Sequence, residues 1–416
     1  MMRFFVILIF AYTHWAWATE NLTIEKQIQE KQAQEKQLQA LQVEVVKHPG
    51  ASQPKIQLAQ YYIQRGRQQQ NPAYFANARA LLRKIRQKSP ASLALLMLRG
   101  QLLHYAHQFD SALKDLDIVI AKDKGNKAQA EILKSVIYRH QGKYEQAYKI
   151  CAKILESSNV VFSSLCYANL YSRTGQSKRA YRELESVQAN ALLMGKAFER
   201  LLNAEMAVIH YRQHYFQGAE QAFNKALKTG GKSLYLLTWY ADYLLDRGKA
   251  QQVLQQLAFD HAHPRIQLRR ALALAKTGKT TAQLKSLKQM LRERFAQAFA
   301  AKDFSLLTAE ARFLLELEQQ AGAALSRAQT AWKNFKEPET ARIYLQALLE
   351  LKIQNQLEAD AQSAAETMIS WIKQQRWEDP ILNFLIHAYR DKDNSCNVYT
   401  TSPKNFSYLI AKFCQK

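Results

Sequence analysis

From about residue 55 onward, short apolar stripes alternate with polar runs, and the stripes have helical spacing. Ala112, Leu116 and Val119 stand four and three apart, as do Ala147, Cys151 and Ile154, so each set lines one face of a helix. Upstream of each such helix lies another, less sharply striped: Gly100 and Leu103 before a turn at Phe109, Ala168 and Tyr171 before Gly175. Aligned on Ala112, Ala147, Ala180, Ala219 and Val253, the pattern recurs at separations of 35, 33, 39 and 34 residues, which identifies an internal repeat. Only 13 glycines and 8 prolines interrupt 416 residues, so the text is helix-rich with few breakers.

Each unit reads as two antiparallel helices. A small residue on the first helix admits the second at close range. An aromatic plugs the turn, and glycine there takes the left-handed conformation that ends the first helix. A lone pair cannot bury its stripe, so the units are expected to stack into a solenoid. The theme continues to the end: 304–317 with 321–335, then 340–353 with 358–375, and a helix from Asp379-Pro380 to Tyr389. Pro338 after Glu337 marks a helix start, where the missing N–H is harmless.

The run His140-Gln141-Gly142-Lys143-Tyr144-Glu145-Gln146-Ala147, and Phe216 with Ala219, Phe223 and Ala226, resemble the tetratricopeptide repeat family. The resemblance covers about residues 55 to 350, with one stretched unit. It implies an all-α fold, an α-solenoid of stacked antiparallel helix pairs, and no cofactor. The stretch from Gln37 onward also resembles a group of exported bacterial repeat proteins of undetermined role, which lends no activity. The expected organisation is a signal peptide over 1–18, a polar N-terminal helix or cap over 19–50, the solenoid over 51–290, degenerate helical repeats over 291–390, and a C-terminal loop and capping helix over 391–416. In the lead-in helix, Leu38, Leu41, Val43 and Val46 supply the apolar positions.

Met1-Met2-Arg3, the apolar run Phe4–Tyr12 and Ala16-Trp17-Ala18 form a secretory signal pattern with cleavage expected after Ala18, which predicts a periplasmic protein. No segment is apolar enough to span a bilayer. The formal net charge of +23 favours acidic partners in general, although basic residues on solvated helix faces also keep a protein soluble. Ten basic residues form a belt: Arg265, Arg269, Arg270, Lys276, Lys279, Lys285, Lys288, Arg292, Arg294 and Lys302, against the single acid Glu293. The belt is a candidate contact for an anionic envelope surface. Nucleic acid is not an expected partner, because the aromatics there, Phe295 and Phe299, stand at core spacing.

No metal-binding or nucleophile motif is present. The histidines are scattered; His104 with His107 and His210 with His214 share helical spacing but have no third ligand nearby. The sequence thus points away from an enzyme. In a stacked solenoid, Cys151 on a second helix faces Cys166 on the next first helix, so a disulfide is expected there, with two buried thiols as the alternative. Cys396 and Cys414 bracket the terminal loop and helix and are expected to pair. The resemblance implies that inward-facing first-helix residues bind a protein or peptide with acidic groups: Gln101, His104, Arg139, His140, Asn169, Arg173, Tyr211 and Arg212.

Overall fold

The computed structural model describes residues 32–69, 72–85, 92–156, 160–230, 233–257, 263–278 and 282–390, and among these there is no strand. The signal pattern, Lys279, Cys396 and Cys414 lie outside the described residues. Two compact units are present, Met1–Gly66 with Ala73–Ala91 and Arg67–Pro72 with Ser92–Lys416.

The smaller unit contains α1 over 32–47 and most of α2 (Ser52–Gln69) and α3 (Pro72–Arg83). The half-buried residues of α1 are Gln34, Leu38, Leu41 and Val45, at spacings of four and three. Val43 and Val46, expected to be apolar contacts, fall off that stripe and are exposed. Tyr61 donates its hydroxyl to the Gln34 carbonyl at 3.0 Å, joining α2 to α1. Gly66 faces the Phe75 ring so closely that a Cβ would lie 2.9 Å from it.

The larger unit is a run of helix pairs. Its first, or A, helices are α4 (Leu93–Tyr105), α6 (Lys127–His140), α8 (Val160–Tyr171), α11 (Lys196–Arg212), α13 (Leu234–Asp246), α15 (Pro264–Lys276), α17 (Leu307–Glu316), α19 (Pro338–Ile353) and α21 (Pro380–Arg390). The B helices are α5 (Phe109–Lys122), α7 (Tyr144–Glu156), α9 (Ser177–Ser186), α12 (Phe216–Lys228), α14 (Ala250–Gln256), α16 (Ala282–Ala300), α18 (Ala321–Asn334) and α20 (Ala359–Gln374). A short helix, α10 (Gln188–Leu193), sits between α9 and α11 and accounts for the 39-residue spacing from Ala180 to Ala219.

The repeat chemistry works as read. A Cβ at Gly100 of α4 would come within 3.1 Å of the Leu116 side chain on α5, so a larger residue there would have to displace Leu116. The B-helix stripes Ala112–Leu116–Val119 and Ala147–Cys151–Ile154 are fully buried. Eight A helices end on a left-handed residue: glycine at 142, 175, 248 and 278, but His107, His214, Gln319 and Asn355 elsewhere. Cys151 of α7 is bonded to Cys166 of α8, with Cα atoms 5.6 Å apart.

Six A helices complete one superhelical turn, and the seventh begins beneath the first. The N–H of Phe304, in the 3-10 turn Phe304–Leu306 that opens α17, donates to the Ala106 carbonyl at the end of α4 (3.1 Å). The N–H of Lys336, just before α19, donates to the His140 carbonyl at the end of α6 (2.6 Å). The Arg376 carbonyl before α21 lies against Gly175 at the end of α8. Around this seam Trp332, Trp371 and Trp377 pack edge to face, and the Trp377 indole donates to the Tyr144 hydroxyl (2.8 Å). The second turn is thereby docked on the ends of α4, α6 and α8.

Gly142 and Gly175 are therefore constrained twice, by positive φ and by the second turn against them. A Cβ on Gly142 would fall 2.4 Å from the Trp371 ring, whereas a Cβ on Gly248 meets nothing within 4 Å, and both have positive φ. Gly248→Ala should cost about 1 kcal/mol from backbone strain. Gly142→Ala should cost roughly 2–4 kcal/mol, because overpacking against the indole is added. Urea unfolding of the two variants, compared at equal m-value, checks the difference.

Candidate binding groove

The interior of the superhelix is lined by the A helices, and its lower half is filled by charge. Glu337, immediately before α19, is almost fully buried; it accepts from His140 Nδ1 at 2.8 Å and from an Arg173 guanidinium nitrogen. Burial alone would raise its carboxyl pKa, but Arg173 and His140 hold it well below the usual carboxylate range. A carboxylate only accepts and a guanidinium only donates, so the partners of His140 fix its tautomer. Nδ1 carries the proton toward Glu337, and Nε2 accepts from Arg139 at 3.2 Å. Burial and Arg139 pull the His140 pKa down to about 4, in keeping with a neutral ring.

Similar groups continue around the interior. Asp242 of α13 accepts from Arg269 of α15 and Arg312 of α17, both at 2.6 Å, and Arg269 also reaches Glu339 of α19 at 2.8 Å. Burial would raise the Asp242 pKa, yet the two arginines hold it below its ordinary value. Arg342 forks onto Asp379 at 2.6 and 3.1 Å, and Asp379 also caps α21 through the Leu382 N–H. Tyr211 donates to Asp246. Arg212 is less well served. Its Nη1 reaches Ser172 at 3.4 Å, while Nε and Nη2 have no partner among the described residues; burial, then Arg173, draws its pKa down to about 10.

The eight residues expected to face inward do so in part. Arg139, His140, Asn169, Arg173, Tyr211 and Arg212 converge on the interior, but His140, Arg173 and Tyr211 are bound to carboxylates of this same chain. Gln101 is buried, and the His104 ring lies 6.0 Å from that of His140. The acids Glu337, Glu339 and Asp379 were missed by sequence reasoning. Their one signal was acids clustered at the starts of late A helices in a basic protein.

The basic belt does not form one surface. Arg269 goes to the interior, Arg265 donates to the Ser305 carbonyl (2.7 Å) and Arg270 to the Leu257 carbonyl (2.7 Å). Lys288 and Arg292 pair with Glu318 at 3.0 and 2.7 Å. Lys276, Lys285, Arg294 and Lys302 remain exposed.

Among the described residues, the upper half of the interior, formed by α6, α8, α11 and α13, is open. Here a cavity of about 270 Å³ has walls of Ile132, Val136, Phe162, Leu165 and Leu201. Its floor is polar: Arg139 donates to the Asn169 side-chain oxygen, and the Tyr235 hydroxyl donates to Glu205 at 3.0 Å. Burial raises the Glu205 pKa despite the opposing pull of Arg139. Arg139 Nε has no partner among the described residues. The Cys151–Cys166 bridge joins α7 to α8 alongside this cavity, and Cys166 lines it. A larger hollow of about 500 Å³ at the ends of α15, α17 and α19 is edged by Lys276, Glu316, Gln346, Glu350 and Gln354. Recognition pockets are mainly apolar with a few convergent polar groups, and the smaller cavity has that character. Among the described residues, no group of three or more His, Cys, Asp or Glu is placed to hold a metal ion, and no helix is long and apolar enough to cross a membrane.

No protein-family model matches the sequence, and no curated protein is significantly similar to it. Among solved structures, the chain is similar to the APC/C hetero-tetramer Cut9–Hcn1, with 15% identity, a TM-score of 0.49, and coverage of 93% of this chain and 71% of that one. It is also similar to yeast Tom70, with 11% identity, a TM-score of 0.31, and coverage of 91% and 95%. With TM-scores this low, the all-α helix-pair architecture rests on the geometry described above.

Two outcomes test the interior. Glu337→Ala leaves Arg173 buried without its carboxylate and should cost about 3–5 kcal/mol. Removal of the exposed i, i+4 pair Lys149–Glu145 should stay within about 0.5 kcal/mol; urea melts of both variants decide. The second outcome concerns pH. His140 and His214 titrate near 4 when folded, against an ordinary value near 6.5. Between these values the unfolded chain holds more protons, so stability is complete above about 6.5 and declines as pH falls toward 4. Glu337, with its lowered pKa, acts in the same sense below the ordinary glutamate range. The urea midpoint should therefore drop from pH 7 to pH 5, and His140→Gln should lower that slope by up to about 1.4 kcal/mol per pH unit.

Proposed function

We propose that the protein is an exported, non-catalytic scaffold that holds a segment of a partner protein in the open half of its concave face. One observation carries this reading: the apolar cavity between α6, α8, α11 and α13, with Arg139, Asn169, Glu205 and Tyr235 on its floor. At about 270 Å³ it lies at the small end of ligand pockets, which suits one or two side chains of an extended segment better than a large cofactor. The walls take an apolar side chain. Arg139 on the floor supplies the charge that suits a carboxylate or backbone carbonyl of the segment. The pairing of Arg173 with Glu337 takes that guanidinium away from a partner and leaves Arg139 as the basic residue of the cavity. Export is supported by the signal pattern at Met1–Ala18 and by the Cys151–Cys166 bridge, which persists in an oxidising compartment such as the periplasm. An anionic envelope surface bound through residues 265–302 is the weaker reading, because half the belt is paired or buried.

The test is selection of a phage-displayed peptide library on the mature protein, followed by titration of the winning peptides. Phe162→Asp with Leu201→Asp should weaken binding about 30-fold or more. Lys285→Glu with Lys288→Glu should leave it unchanged. The reverse result would transfer binding to the belt, and indifference to both pairs would remove both sites.

A further inference from the structure

The helix pairs give the first superhelical turn two unlike edges. One, made by the ends of α4, α6 and α8, is covered by the starts of α17, α19 and α21. The other, made by the connections that lead from each B helix into the next A helix, carries an unusual concentration of exposed apolar residues. Leu192, Leu193 and Met194, consecutive at the end of α10, are 52, 90 and 38% exposed. Leu155 at the end of α7 and Val160 at the start of α8 are 50 and 39% exposed on the same edge. These five are nearly half of the large exposed apolar side chains among the described residues, and all lie in two neighbouring connections.

Repeat geometry does not need α10. It is an insertion, followed by Gly195 at φ 98°, a conformation that favours glycine, and its last turn is exposed. Along the same edge stand the exposed lysines 122, 124, 127, 153, 196 and 228. The acids there are fewer. Glu156 and Glu185 are exposed, Glu199 is half-buried, and Asp123 is turned onto Gly125 and Asn126 at 2.7–3.2 Å. An apolar turn flanked by lysines is the arrangement that seats in the headgroup region of an anionic bilayer: the side chains reach the acyl boundary and the ammonium groups remain with the phosphates. A protein partner for such a patch would be expected to supply acids close to an apolar socket; a bilayer surface supplies both along its whole extent.

We propose that this edge of the first turn docks on an anionic lipid surface, with Leu192, Leu193 and Met194 as the inserted element and the edge lysines as its electrostatic support. The contact is peripheral and independent of the peptide groove.

Flotation of the mature protein with vesicles of phosphatidylglycerol and phosphatidylcholine, against phosphatidylcholine alone, tests it. The protein should float with the anionic vesicles only, and less so as salt rises. Leu192→Asp with Leu193→Asp should lower the partition coefficient about tenfold or more, as should Lys124→Glu, Lys127→Glu and Lys196→Glu together. A control with the same change of charge elsewhere, Lys276→Glu, Lys285→Glu and Arg294→Glu, should float like the parent. All the substituted side chains are exposed, and unchanged circular dichroism and melting confirm folding. Absence of flotation overturns the proposal. So does equal loss in the control, which would reduce binding to net charge. Retention in the double aspartate variant would also overturn it and assign the apolar turn to a protein contact.

Discussion

Glu337 is a carboxylate removed almost entirely from water, a costly placement unless cations and donors meet it there. Arg173 and His140 do so, and both come from the first superhelical turn, whereas Glu337 opens an A helix of the second. Leaving either partner alone in the interior is strongly unfavourable, so α19 is held at one height and one rotation beneath α6 and α8. The Lys336–His140 backbone bond and the packing of Trp371 on Gly142 depend on the same placement. A solenoid held only by nearest neighbours can flex along its axis. Here contacts nearly 200 residues apart in sequence tie one turn to the next.

That closure divides the concave face. Its lower half is a balanced array of acids and arginines, with Asp242 between Arg269 and Arg312 and with Arg342 on Asp379, and the hollow among these ion pairs measures only about 50 Å³. Its upper half keeps the apolar cavity over Arg139, Asn169 and Glu205. The surplus of positive charge is therefore displaced outward: the interior arginines are largely matched by carboxylates, while lysines stay at the surface. Arg212 is the least matched of the arginines: among the described residues its Nε and Nη2 have no partner, and Arg139 Nε has none either.

Much of the fold was legible in the sequence because each helix pair is a local object. Gly100 against Leu116, the stripes through Ala147 and Ala180, and Pro338 at the start of α19 act within a few tens of residues, and their spacing is visible directly. The signal faded in the later repeats for a local reason too: Gln319 and Asn355 take the left-handed turn position that glycine holds at 142 and 175. At the N-terminal side, α1 and most of α2 and α3 group apart from the later pairs, a division that long-range contacts make and local spacing does not encode.

The sequence by itself determined an all-α chain of stacked helix pairs, because helical pitch and nearest-neighbour stacking are local, and it put Cys151 and Cys166 on adjacent helices while leaving a bridge and two buried thiols both open. Only the tertiary structure decided what Arg139, Arg173 and Arg212 meet. The number of pairs per superhelical turn is the sum of many small rotations between neighbours, and no single residue encodes it. With six A helices per turn, Glu337 arrives at Arg173 and His140, and half of the inward face becomes core. Among the described residues the other half keeps an apolar cavity.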